Sequence, residues 1–199
     1  MVIQNVRLRR LKFQKGISLI ELMIASAIGI IALMAVGSVF LSGQKLALER
    51  SQKLLVLQSI NEALRYIKED SQRAGFNGVE GQSLMLSGAS SVIQTTSASV
   101  AYTYKAPDNT YTQTSFLYED SKLKVCENSN EASPITTVCI PTLSLLDYDR
   151  INVDGFHVSG AGLGSTVSSA FITITLTASL LDGSHQQTMS TQIKQRNWQ

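Results

Sequence analysis

From Leu22 to Leu41, twenty consecutive positions carry no ionisable group, and only Ser26 and Ser38 are polar. At about 1.5 Å per residue, a helix of that length spans the roughly 30 Å hydrocarbon core of a bilayer. Beyond it the periodicity changes. Leu57, Ile60, Leu64 and Ile67 recur at spacings of three and four, while Lys53, Glu62, Arg65, Lys68 and Glu69 fall mostly elsewhere. This pattern predicts an amphipathic continuation of the same helix over residues 44–74, with one stripe packed on a partner and Gly75 as its terminator. No proline precedes residue 107, so Gly29, Gly37 and Gly43 are the expected points of flexibility.

Residues 81–99 are rich in Ser, Gly and Thr, with Leu84, Met85, Leu86, Val92 and Ile93 interspersed, and read as a loop or irregular strands. From Val100 onward the period falls to two. Val100-Tyr102-Tyr104 and Tyr111 to Tyr118 bracket a turn at residues 105–109, and a second turn at residues 119–122 leads into Leu123-Lys124-Val125, an antiparallel meander. The tyrosines 102, 104, 111 and 118 are expected to pack across strands rather than form a binding stripe. Near the end, Ile172, Ile174, Leu176, Ala178 and Leu180 alternate with Thr173, Thr175, Thr177 and Ser179. Asp182-Gly183-Ser184-His185 then turns the chain into a strand from Met189 to Ile193.

Charge changes the reading of the apolar run. Residues 1–15 hold Arg7, Arg9, Arg10, Lys12 and Lys15 and no acid, a pattern that keeps this end on the cytoplasmic side. No short apolar core with an A-x-A-like site follows, so the span reads as retained, as in a plain single-pass anchor. Glu21 does not suit that reading. A carboxylate near the membrane edge costs a few kcal/mol on insertion scales, which makes a purposeless one unusual.

Lys15-Gly16-Ile17-Ser18-Leu19-Ile20-Glu21-Leu22-Met23 resembles the processing motif of type IV pilins and of type II secretion pseudopilins. The resemblance implies cleavage by a prepilin peptidase after Gly16 and N-methylation of the new N-terminal residue, Ile17, where Phe is commoner. It also implies that the Ile17 amine, four residues from Glu21, neutralises this carboxylate within the subunit or in a neighbour, and so guides docking into a filament. Arg73-Ala74-Gly75-Phe76-Asn77-Gly78-Val79 is similar to the helix-end signature of PilW-type minor pilins, although Val79 stands where relatives often have cysteine. Lys194 to Trp198 resembles the basic close of the same group.

Removing residues 1–16 takes away five bases and no acids, leaving 12 bases against 15 acids, a net charge of about −3. This balance gives no support for a nucleic-acid surface. In an oxidising periplasm Cys126 and Cys139 are expected to form a disulfide closing the segment between them. Two cysteines this far apart with no nearby His do not make a closed zinc site. Asp147, Asp149 and Asp154 do not match a calcium loop and read as solvated turn acids, with Asp154-Gly155 as a hairpin turn. His157 and His185 lie near predicted turns without a nucleophile motif, and Gly160 to Gly164 lacks the setting of a phosphate loop. No enzyme, cofactor or metal is expected.

The resemblance implies an α+β type IV pilin fold, with a long N-terminal helix packed on an antiparallel sheet domain. The expected divisions are a leader at 1–16, a membrane and assembly half of the helix at 17–43, an amphipathic half at 44–75, and a β-rich periplasmic domain at 76–199. The implied role is that of a minor pilin that primes pilus assembly at or near the tip. Its partners would be other minor pilins, the major pilin, prepilin peptidase and the inner-membrane assembly platform. Before assembly it would lie in the inner membrane, N-terminus cytoplasmic and C-terminal domain periplasmic; afterwards it would lie in the pilus. A pseudopilin of type II secretion and a membrane-anchored periplasmic binding protein are the other readings.

Overall fold

The computed structural model describes residues 16, 18–79, 81–130, 139–162 and 170–194. The basic residues 1–15 of the expected leader, Ile17, residues 131–138 between the two cysteines and the closing residues 195–199 lie outside the described residues. The chain divides into two compact units, Met1–Leu48 and Glu49–Gln199.

Helix α1 runs Leu19–Ser71 and contributes to both. It passes Gly29, Gly37 and Gly43 in unbroken α conformation. In the first unit its side chains are apolar on every side and almost all exposed, Leu33 and Val39 among the most exposed at 73%. An all-round apolar helix is what lipid requires. The serines fit this surface because each hydroxyl donates to its own backbone: Ser26 Oγ to Met23 O at 2.8 Å, Ser38 Oγ to Ala35 O at 2.9 Å and Ser42 Oγ to Ser38 O at 2.9 Å.

In the second unit the helix is one-sided. Val56, Ile60, Ala63, Leu64 and Ile67 are buried, and Asp70 and Ser71 join them at the last turn. The helix stops at Ser71, about a turn before the predicted end at residue 74, and residues 72–75 form turns, so Gly75 lies beyond the helix end instead of terminating it. Strand β1 (Ile93–Thr95), β2 (Ser99–Lys105), β3 (Tyr111–Glu119), β4 (Lys122–Asn130) and β5 (Leu143–Ser144) form an antiparallel sheet in sequence order. The predicted meander is its centre, paired from Ser99↔Leu117 to Lys105↔Tyr111 and from Tyr111↔Asn130 to Glu119↔Lys122.

A second antiparallel sheet holds β6 (Ile151–Gly162), β7 (Ala170–Leu180) and β8 (Gln187–Lys194) in that order. Backbone bonds tie β6 to the first sheet: Val153 N–H donates to Ser121 O at 3.0 Å and Val158 N–H to Ser97 O at 3.3 Å. Helix stripe and inner sheet faces share one core that includes Ile60, Ile67, Tyr102, Phe116, Phe156, Ile174, Leu176 and Ile193. Burying each such side chain contributes about 1.5–3 kcal/mol. The outer face of β7 is paired through hydroxyls instead, Thr175 with Ser190 and Thr177 with Thr188, both at 2.9 Å.

One turn expectation fails. Asp154-Gly155 is not a hairpin turn but lies within β6, where the register shifts between Val153 and Gly155. A glycine inside a strand marks a bulge as readily as a turn, and the apolar positions on both sides, Val153 and Phe156, are both needed in the core. His157 is therefore an exposed mid-strand residue. Asp182 to His185 does turn the chain. Gly183 and His185 both adopt positive φ, and Leu180 N–H donates to Ser184 O at 3.0 Å.

Candidate functional site

Gly16 and Glu21 lie at the start of the apolar helix. Leu22 N–H donates to Ser18 O at 3.1 Å, the first helical bond, which makes Ser18 the N-cap residue and Glu21 the third helical residue. The Glu21 carboxylate reaches back and accepts the Ser18 N–H at 3.0 Å. This is the carboxylate half of a capping box, legible in the sequence as Ser18-x-x-Glu21 but overlooked when Glu21 is considered only as a partner for an amine. The bond satisfies one helix-end amide, and the acid lies near the positive end of the helix dipole. Gly16 is exposed and no atom lies within 4 Å of the position a Cβ would take. Ile17, the residue expected to be methylated, lies outside the described residues.

In the second unit, the Arg73-to-Gly78 signature follows the helix and joins it to β2. Gly75 and Gly78 take φ of +79° and +75°, the left-handed region that side chains disfavour. Gly75 N–H donates to Thr103 O at 2.8 Å, and Lys105 N–H to Phe76 O at 2.7 Å. The signature thus covers the part of β2 that β1 leaves unpaired, since β1 reaches only Val100 to Tyr102. Ala74 is buried, while Phe76 remains half exposed.

Beneath this turn lies the one buried carboxylate among the described residues, Asp70. It accepts the Tyr102 hydroxyl at 2.5 Å and the Tyr104 hydroxyl at 3.4 Å, and the Arg73 guanidinium lies 3.7 Å away. Arg73 also sits over the Tyr104 ring, 5.7 Å from its centroid. Burial pushes the Tyr102 phenol well above its ordinary range, with the Asp70 charge adding to the effect. Tyr104 is raised by the same two causes in the same order. The predicted tyrosine stripe is therefore core at Tyr102 and Tyr104 and half-buried at Tyr111 and Tyr118. The carboxylate beneath it carried no sequence signal beyond an acid on the apolar side of the helix.

Cys126 and Cys139 form a disulfide, and Ser115 Oγ donates to Cys139 O at 3.0 Å, fastening Cys139 to β3. Asp147 and Asp149 are exposed turn residues, and Asp154 on β6 accepts from Asn152 Nδ2 and Gln186 Nε2, both at 3.0 Å. Among the described residues no three His, Cys, Asp or Glu side chains gather as a metal site would.

The globular unit has a known counterpart in sequence. Residues 49–195 match the family model of prepilin peptidase-dependent protein B. The chain belongs to this family. Among solved structures it resembles a type IV-like pilin from Thermus thermophilus, with a TM-score of 0.54 at 11% identity, covering 72% of this chain and 98% of that one. No curated protein matches it at a significant level. This prepilin peptidase-dependent protein is thus a type IV pilin-like prepilin of α+β fold, in agreement with the resemblance carried by Lys15 to Met23. The matched region starts beyond the apolar part of α1 and covers the helix stripe, the signature turn and both sheets, so the family likeness rests on the globular unit rather than on a generic apolar span.

Proposed function

We propose that this prepilin peptidase-dependent protein is a minor pilin of a type IV pilus that helps to initiate filament assembly at or near the tip. Residues 1–16 serve as its leader. Prepilin peptidase cuts after Gly16 and Ile17 is N-methylated. Before assembly the apolar part of α1 sits in the inner membrane, with the globular unit in the periplasm. The chain then passes through the assembly platform to join other minor pilins and the major pilin. Its work is structural and not enzymatic.

One observation carries this reading: an unbroken apolar helix, exposed on all sides in the isolated chain, begins with a single carboxylate just after Gly16. Such a surface needs lipid or other helices around it. The Ser18 amide holds Glu21 before cleavage, and the cationic amine of Ile17 becomes a stronger partner afterwards. Pilus number in a Glu21→Ala strain tests the proposal, with near-complete loss as the expected outcome. Normal piliation with the Glu21→Ala protein present at wild-type levels would refute it. Mass spectrometry of the mature protein should find methylated Ile17 at the N-terminus. Intact Met1 would point to a simple anchor. Loss of secreted enzymes with normal pili on deletion would assign the chain to a secretion pseudopilus.

A further inference from the structure

The signature turn holds the one Asn-Gly pair in the chain, Asn77-Gly78. Such a pair carries its own chemistry, because the glycine nitrogen can attack the asparagine side chain with no Cβ of its own in the way. Whether a fold permits the attack depends on whether it already holds either group. Here it holds neither. Among the described residues, Gly78 N–H donates to no acceptor and the Asn77 side chain has no hydrogen-bond partner. Asn77 is half-buried and Gly78 is exposed, so solvent reaches the pair.

Other asparagines and Asp-Gly pairs of the globular unit are restrained. Thr110 N–H, which follows Asn109, donates to Asp108 Oδ1 at 3.0 Å, and Val153 N–H, which follows Asn152, donates to Ser121 O at 3.0 Å. Asn61 lies within α1, and Asn128 and Asn130 within β4. Asp182 Oδ1 accepts the Ser184 N–H at 2.9 Å, and both carboxylate oxygens of Asp154 accept from side chains. A backbone nitrogen committed to a hydrogen bond is not free to act as a nucleophile.

We propose that Asn77 is a site of spontaneous, irreversible modification in the folded protein. Gly78 N attacks Asn77 Cγ, and the new N–C bond closes a five-membered succinimide. The side-chain nitrogen leaves as ammonia, taking the proton lost from Gly78 N–H. Solvent water then opens the ring at either carbonyl to give aspartate or isoaspartate, with no change of oxidation state. In isoaspartate the main chain runs through the former side chain and gains one methylene. Either product replaces a neutral amide with a carboxylate.

The turn has contacts on both sides of this step. Lys105 N–H donates to Phe76 O at 2.7 Å, immediately before Asn77, and the Lys105 stem lies 3.9 Å from where a Gly78 Cβ would stand. The added methylene falls between these two contacts. Modification therefore loosens the bond between the turn and β2 and marks older copies of the chain by charge. It goes beyond the pilin reading and does not rest on it.

The test ages the purified full chain in detergent micelles, in heavy-oxygen water at mildly alkaline pH, and follows each asparagine by peptide mass spectrometry. Asn77 should convert at least about ten times faster than Asn109 or Asn152, whose following amides are bonded. The product should carry one heavy oxygen, with isoaspartate exceeding aspartate. Asn77→Gln should abolish the change, since the larger glutamine ring closes far more slowly. Hydrogen exchange at the Lys105 amide should be faster in the isoaspartate fraction. Survival of Asn77 under conditions that convert a short peptide of residues 73–79 would overturn the proposal, because the fold would then protect it. Conversion only after denaturation would overturn it equally, and unchanged exchange at Lys105 would overturn the effect on the turn.

Discussion

Helix α1 is one element with two environments. Up to Leu48 its apolar side chains are exposed all round, whereas from Val56 onward the buried ones form a single stripe. The same backbone hydrogen bonding thus serves two solvents. In the first part the hydroxyls of Ser26, Ser38 and Ser42 are bonded to their own backbone, and the apolar surface is left for lipid or neighbouring helices. The second has a core to bury, and its remaining faces carry Gln58, Arg65 and Glu69, with an Arg65–Glu69 pair at 3.9 Å between side chains about 70% exposed. Such a pair contributes little. Helical hydrogen bonding alone does not decide where stability resides; the partner surface does.

Substitutions can break this contrast. Phe156→Ala in the shared core should lower the stability of the globular unit by about 3–5 kcal/mol, read by calorimetry. Removing the disulfide with Cys126→Ser and Cys139→Ser together should cost about 3 kcal/mol on the chain-entropy model for a separation of 13 residues. An unchanged melting temperature would show that the Ser115 contact already fixes this loop.

Tyr102→Phe should cost about 1–2 kcal/mol by leaving Asp70 with one fewer donor. It should also alter the pH profile. In the folded chain Tyr102 is held protonated above its ordinary value of 10.0, so the unfolded chain releases that proton first as pH rises. Stability contributed by the protonated phenol is full below pH 10 and declines above it, and the Phe variant should show a shallower decline. A parallel decline would mean that other groups govern alkaline unfolding. Smallest of all, Ile28→Ala on the exposed apolar stretch should move the melting of the globular unit by less than about 0.5 kcal/mol, although it removes a larger apolar side chain than some core changes do.

The start of the apolar helix was legible because its pattern is local: an uninterrupted apolar run follows directly after Glu21. Even the Ser18–Glu21 cap is a local pattern. The helix stripe and the Thr-rich hairpin were equally readable, since their periods of 3.6 and 2 report which face is buried. The Asp154-Gly155 bulge was not. A dipeptide suited to a turn stays in a strand when both neighbouring apolar residues have core positions to fill, a fact that resides in β7 and not in β6. Pairing between Asp70 and Tyr102, 32 residues apart, is likewise invisible until the helix end meets β2.

Sequence alone therefore determined the membrane-length helix, the amphipathic continuation and the strand alternation, because each depends on neighbours within a few residues. Tertiary structure alone decided that the strands divide between two sheets, that Asp70 is buried beneath two phenols, and that Arg73 and Lys105 share a groove. These depend on contacts between segments distant in sequence, and their energies exist only once the intervening chain has been brought into place.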